Sequence, residues 1–317
     1  MAEIAGNSRI EIREAPRRFL TPKRSEAITG YLFALPFIVG FLGLTLGPML
    51  FSLYTSFTDY NITTAPEWRG LDNYEYILTK DDRFRTSLGN TVYYVLLKTP
   101  IIIVVSLLLA LMMRVDVPGR RVFRTIYYLP TILTGVSSIF LFIWVLSPTG
   151  LLNTGLDGIG VKGPNWFFDP DWTKPGLIVM SLWTIGTPLL IMLAGLNGIP
   201  RDLYEAASLD GAGWWSKFWK ITIPMLSPTL FFLVVTNIIF AFQVFNSAYV
   251  ISTTVGSKSP GDPGQSLLFY EVYLYLRAFR DLEMGFASAL AWILFLIVMV
   301  VTGIQLWLSK RWVYYES

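Results

Sequence analysis

Residues 198–224 read GIPRDLYEAASLDGAGWWSKFWKITIP, a mixed polar and aromatic stretch between two long apolar runs. Pro200 suits the first turn of a helix, and Asp202 and Glu205 lie near its positive end. Leu203, Tyr204, Ala206, Ala207 and Leu209 form an apolar stripe. Gly211 stands where a helix stops, because glycine reaches positive φ cheaply. A second short helix is expected from about Ala212, with Trp214 and Phe218 one turn apart and Trp215 and Trp219 on an adjacent face. Isolated helices this short are marginal in water and need a surface to pack on. Two readings fit. One is a knob for a socket on another protein, where Ala206 and Ala207 allow close approach and Glu205 offers a charge. The other is an amphipathic segment whose four aromatics rest on lipid headgroups.

The flanking runs set the solvent. A helical bilayer crossing needs roughly 20 mainly apolar residues. Six segments qualify: Ile28–Phe57, Thr91–Met113, Val122–Leu146, Gly176–Asn197, Ile221–Ile251 and Phe286–Leu308. The fifth exceeds one crossing and is expected to tilt or protrude. The chain of 317 residues is 53% hydrophobic and 15% charged, with mean hydropathy +0.52. An all-α membrane protein with six transmembrane helices follows. Histidine and cysteine are both absent, which excludes thiol nucleophiles, Ser-His-Asp triads, Cys/His zinc sites and disulfides. No metal or other cofactor is expected. A formal charge of +3 is too small to suggest nucleic acid as a partner.

The first span is longer than a signal-peptide core and lacks a small-x-small cleavage site, so it is read as a true span. Placing both termini inside gives the inner segments 15 basic and 9 acidic residues, against 9 and 13 outside. Arg9, Arg13, Arg17, Arg18, Lys23 and Arg24 before the first span, and Arg114, Arg120, Arg121 and Arg124 between the second and third, carry that bias. Residues 198–224 are electrically balanced and fall inside only by counting spans. The outer loops, about 58–90, 147–175 and 252–285, read either as solvated connectors or as a docking surface for an external partner.

The run Glu205-Ala206-Ala207, three residues, Gly211, nine residues, Ile221, one residue, Ile223, Pro224 resembles the EAA loop of binding-protein-dependent ABC importers, EAA-x3-G-x9-I-x-L-P, with Ile223 where leucine is usual. Asp210 and Ala212 resemble the sugar-importer subtype. Residues Gly70 to Tyr74, Asn90-Thr91, Arg124 to Pro130 and the terminal SKRWVYYE (309–316) are similar to the same group. A Gly-Gly-Gly-Pro run frequent in that group is replaced here by Gly256-Ser257-Lys258-Ser259-Pro260. The chain thus resembles maltose-type and glycerol-3-phosphate-type permease subunits. The resemblance implies a type-1 permease fold with an extra first span: a tail 1–27, a span and outer loop 28–85, a core 86–309 with coupling loop 201–220, and a tail 310–317. It implies multi-pass residence in the cytoplasmic membrane of a prokaryote.

No G-x-x-x-x-G-K-[ST] run occurs, so this chain carries no phosphate-cradling loop of its own. The resemblance implies two ATPase subunits that bind ATP and Mg, a second homologous permease forming a heterodimer, and an extracytoplasmic solute-binding protein. Glu205, Ala206, Ala207, Asp210 and Gly211 would form the ATPase-coupling plug. A sugar needs amides, hydroxyls and aromatic faces. Asn237, Phe240, Gln243 and Asn246 in the fifth span, Trp183 and Thr187 in the fourth, and Ser138 in the third supply them. Each also reads as interhelical glue or as a hydroxyl bonded to its own backbone. Lys98, charged inside the second span, is expected to snorkel, to meet a loop carboxylate, or to contact an anionic substrate such as a phosphate or an acidic sugar. An ion-coupled secondary transporter is the rival from another class. It is disfavoured by the lack of Asp or Glu inside the assigned spans.

Overall fold

The computed structural model describes residues 22–114, 119–132, 135–255 and 259–314. Arg9 to Arg18, Gly256 to Lys258 and Tyr315 to Ser317 lie outside the described residues, as do the side chains of Lys23, Arg24, Arg120, Arg121 and Arg124. The chain divides into two units, Met1–Ser52 and Leu53–Ser317.

The first unit holds α1 (Pro22–Gly40), a π-helical turn (Phe41–Leu46) and α2 (Gly47–Thr55) as far as Ser52. No charged residue interrupts positions 27–55. Phe33, Phe37 and Leu44 are exposed, as suits a helix whose solvent is lipid.

The second unit takes the last residues of α2 and then a two-residue antiparallel ribbon, β1 (Thr58–Asp59) with β2 (Glu67–Trp68), registered Thr58 to Trp68. Helix α3 (Asp72–Thr79) leads to α4 (Asp82–Arg114), which starts earlier than hydropathy indicated. Its 33 residues span about 50 Å at 1.5 Å per residue, more than the hydrocarbon core. Then come α5 (Arg120–Ile132), α6 (Val136–Val145), α7 (Leu151–Gly158), α8 (Pro170–Ser181) and α9 (Gly186–Asn197). They are followed by α10 (Arg201–Leu209), α11 (Trp214–Lys217), α12 (Ile223–Phe242), α13 (Asn246–Thr254), α14 (Tyr270–Tyr275) and α15 (Met284–Ser309). Among the described residues, four stretches are long and apolar enough to cross a membrane as helices: Glu26–Thr55, α4, Trp214–Thr254 and α15. The bent pairs α5–α6 and α8–α9 raise the number to six if each is one crossing. A 55° bend separates α8 from α9. There Gly186 lets the two helix backbones meet, since a Cβ would lie 2.5 Å from the Tyr127 carbonyl of α5.

Two apolar clusters hold this unit. One gathers Leu189, Met192 and Leu196 of α9 with Leu226 of α12 and Ala110 and Met113 of α4. The other centres on Leu267 to Tyr270, Val272 and Tyr273, all essentially inaccessible to solvent. The stretch Ser266 to Leu276 of the third long loop is therefore largely core rather than connector. Asn90 of α4 donates to the Gln265 and Leu268 carbonyls (2.8 and 3.1 Å), and Thr91 Oγ1 accepts from Tyr270 N–H (2.9 Å). Buried Asp81 accepts from Phe84 N–H, capping α4, and from the Tyr273 hydroxyl. Arg277 donates to that hydroxyl (2.9 Å) and pairs with Glu283 (3.0 Å). Burial pushes the Tyr273 hydroxyl well above the usual phenol range, and the Asp81 carboxylate adds to the rise.

Candidate functional site

Helix α10 keeps Arg201 to Leu203, Glu205, Ala206, Ser208 and Leu209 exposed; Tyr204 and Ala207 are half-buried. The helix ends as the sequence required. Gly211 has φ of +74°, its N–H donates to Ser208 O (3.1 Å), and Ala212 N–H donates to Ala207 O (2.8 Å). This pair of bonds is the glycine-terminated Schellman stop. Ala207 thus supplies a carbonyl to the bend as well as a small side chain. Glu205, Ala206 and Asp210 stand on the surface, and Leu209 is 90% exposed.

The expected second short helix is not a separate element. Helix α11 has four residues and runs through a π-helical turn (Phe218–Thr222) directly into α12. Its aromatics cluster: Trp214 stacks on Phe218 (5.4 Å), and Trp214, Trp215 and Trp219 remain exposed. Aromatic rings at such a site suit a membrane–water boundary.

Helix α10 is tied to the core by contacts that the sequence pattern did not reveal. Tyr204 packs on the α4–α9–α12 cluster. Its hydroxyl accepts from Arg114 Nη1 (3.0 Å) and lies 2.9 Å from Thr222 Oγ1. The Arg114 guanidinium also sits 4.6 Å from the Tyr204 ring centre. Lys217 Nζ donates to Ser208 Oγ (2.6 Å) across the bend.

The apolar run from Ile221 to Ile251 is not one helix. It breaks after Phe242 and resumes at Asn246, leaving Gln243 to Phe245 outside helical geometry. Gln243 and Asn246 are exposed on either side of the break, and Phe240 is exposed one turn before it. Asn237 is half-buried and donates to Leu233 O of its own helix (2.9 Å). Ser138 is half-buried on α6, which packs on α13. Trp183 meets Phe142 of α6 edge to face at 5.5 Å, and its buried Nε1 has no hydrogen-bond partner among the described residues. Thr187 is exposed on α9. Lys98 holds its Nζ 5.7 Å from the Tyr94 ring centre, with no carboxylate within ion-pair reach among the described residues. Sequence reading missed the aromatic group at the break: Phe245 and Tyr249 lie 5.0 and 5.2 Å from Tyr275 of α14. Only the pairing of distant segments reveals it.

A family model described as "Binding-protein-dependent transport system inner membrane component" matches residues 91–314. Among curated proteins, the chain is 40% identical over 297 residues to the probable ABC transporter permease protein YesP of Bacillus subtilis (strain 168), covering 93% of this chain and 94% of that one. It is 30% identical to the arabinooligosaccharides transport system permease protein AraP of Halalkalibacterium halodurans, covering 95% and 93%. A solved bacterial alginate ABC transporter, in complex with an alginate pentasaccharide-bound periplasmic protein, contains a chain that superposes with TM-score 0.75 at 24% identity, covering 90% of this chain and 96% of that one.

Proposed function

This chain belongs to the family of inner membrane components of binding-protein-dependent transport systems, and from that premise we propose that it imports an oligosaccharide by ATP-driven alternating access. The observation that carries the reading is the exposed α10 knob. It is ended by the Gly211 stop and bonded through Tyr204 to α4 and to the start of α12. Glu205, Ala206, Ala207, Asp210 and Gly211 seat on a separate ATPase subunit in the cytosol, which binds Mg and ATP. Two such subunits, a second homologous permease and an extracytoplasmic binding protein complete the assembly. Both chain termini lie in the cytosol. Closure of the ATPase pair shifts the knob, and the spans rock about a central cavity.

The break at Gln243 to Phe245 lines that cavity. Interrupted helices are tolerated at membrane depth where they face protein or water, because their freed backbone groups need partners. Gln243 and Asn246 supply amide groups to sugar hydroxyls, with Asn237, Ser138 and Thr187 further along the path. Phe240, Trp183 and the Phe245–Tyr249–Tyr275 group offer ring faces to its apolar surfaces. Transport of arabinooligosaccharides by a relative supports a carbohydrate cargo. A second reading is an acidic sugar or a phosphorylated polyol, favoured by Lys98, which has no carboxylate partner among the described residues.

The test is uptake into proteoliposomes holding the four-part assembly, with labelled arabinotriose and oligogalacturonate as probes. Uptake of either probe that orthovanadate stops and a protonophore spares supports ATP-driven import. Preference for the uronate assigns Lys98 its role. Vanadate-insensitive, protonophore-sensitive uptake of both would replace the proposal with an ion-coupled carrier.

A further inference from the structure

We propose that the Tyr204 hydroxyl is a positioning group that makes the plug, the end of α4 and the start of α12 move as one body, so that force on the plug reaches the break in α12–α13. The inference rests on the coupling reading of α10 given above.

Four observations converge on this residue, two of them on its hydroxyl. Arg114, the last residue of α4, donates Nη1–H to the Tyr204 hydroxyl (3.0 Å). A guanidinium only donates, so the phenolic proton is free for Thr222 Oγ1 at 2.9 Å. Thr222 is 4% exposed and passes its own proton to the Lys217 carbonyl (3.4 Å). The chain of bonds therefore runs from α4 through the plug to both ends of the π-helical turn that opens α12. The guanidinium over the Tyr204 ring at 4.6 Å adds a cation–π contact to the same pair. Finally, Lys217 Nζ bonds Ser208 Oγ (2.6 Å), and Ser208 Oγ–H bonds the Tyr204 carbonyl (2.7 Å). The bend at Gly211 is thus closed by side chains on both sides.

These contacts distinguish a bolted plug from a hinged one. A plug held only by its covalent links would swivel at Gly211 under load. Here a charge-assisted hydrogen bond, in a half-buried setting, ties it to a second span. The π-helical turn matters for the same reason, since such turns are frequent at functional sites. A side-chain bond across the turn fixes its register, and a shift of Tyr204 reaches the first turn of α12. Twenty residues later that helix breaks at Gln243.

The chain has no cysteine, so one introduced thiol reports without background. Gln243→Cys places the reporter at the break. In the full assembly, its reaction rate with a maleimide is compared between the resting state and the state trapped by Mg-ATP and orthovanadate. With Tyr204 intact, trapping is expected to change the rate. Tyr204→Phe keeps the ring and its packing. It is expected to shrink that change about tenfold, the weight of one hydrogen bond to a charged group, while vanadate-trapped nucleotide and copurified ATPase stay at parental levels. Thr222→Val should act likewise, and Thr222→Ser, which keeps the hydroxyl, should restore the parental response. An undiminished rate change in Tyr204→Phe overturns the proposal. So does loss of ATPase copurification in that variant, which would make the hydroxyl a docking group. No rate change even with Tyr204 intact would overturn the coupling reading itself.

Discussion

At the scale of single residues, Gly211 and Glu271 show how local chemistry sets limits. Gly211 occupies φ of +74°, where a β-branched side chain costs about 1–3 kcal/mol. Nothing lies within 4 Å of a Cβ there, so the penalty is backbone strain alone. Gly211→Val is expected to leave the apolar clusters intact and to abolish vanadate-sensitive uptake. Uptake at the parental rate with normal expression would remove the plug from the mechanism. Glu271 sits half-buried in the first turn of α14, with no hydrogen bond or ion pair among the described residues. Burial raises its carboxyl above the usual 4.5. A raised acid binds its proton more tightly in the folded chain than in the unfolded one, so stability falls as pH rises from 4.5 through the folded value and stays reduced above it. Glu271→Gln is expected to raise the melting temperature in detergent at pH 7 and to lose that advantage near pH 4.5. An equal gain at both pH values would mean that repacking, not charge, is responsible.

At the scale of elements, Asp81 couples three pieces of the fold. One carboxylate oxygen caps α4 at Phe84 N–H (3.1 Å); the other accepts from Tyr273, which Arg277 also reaches. Asp81→Ala removes a cap worth about 1 kcal/mol and leaves a buried hydroxyl short of a partner at about 1–3 kcal/mol. A loss of roughly 2–4 kcal/mol is expected, read as lowered thermal stability of the solubilised chain. A melting temperature within a degree or so of the parent would show that the loop holds by apolar packing alone. None of this network was legible beforehand. Asp81, Tyr273 and Arg277 come from segments up to 196 residues apart, and a hydropathy scan sees only neighbours. The buried run Ser266 to Leu276 did carry a local signal, since apolar and aromatic residues dominate it. The turn formers ahead of it directed attention to a solvated loop instead. Likewise, the interruption at Gln243 leaves hydropathy high on both sides, so the fifth span read as one long helix.

At the scale of the molecule, what could be read early was what repeats or what is local. Apolar runs gave the spans, and three kinds of residue in fixed spacing gave the knob and its glycine stop. The partners of Tyr204 could not be read that way, because Arg114 lies 90 residues upstream and served only as a vote on topology. The central claim is that α10 faces the cytosol and that Glu205, Ala206, Ala207, Asp210 and Gly211 grip an ATPase. Leu209, 90% exposed at the tip of the knob, tests it most directly in this cysteine-free chain. Leu209→Cys should resist a membrane-impermeant maleimide in intact cells, react in inverted vesicles stripped of ATPase, and be shielded again when the ATPase is added back. Labelling from outside intact cells, or labelling that added ATPase does not slow, would contradict it.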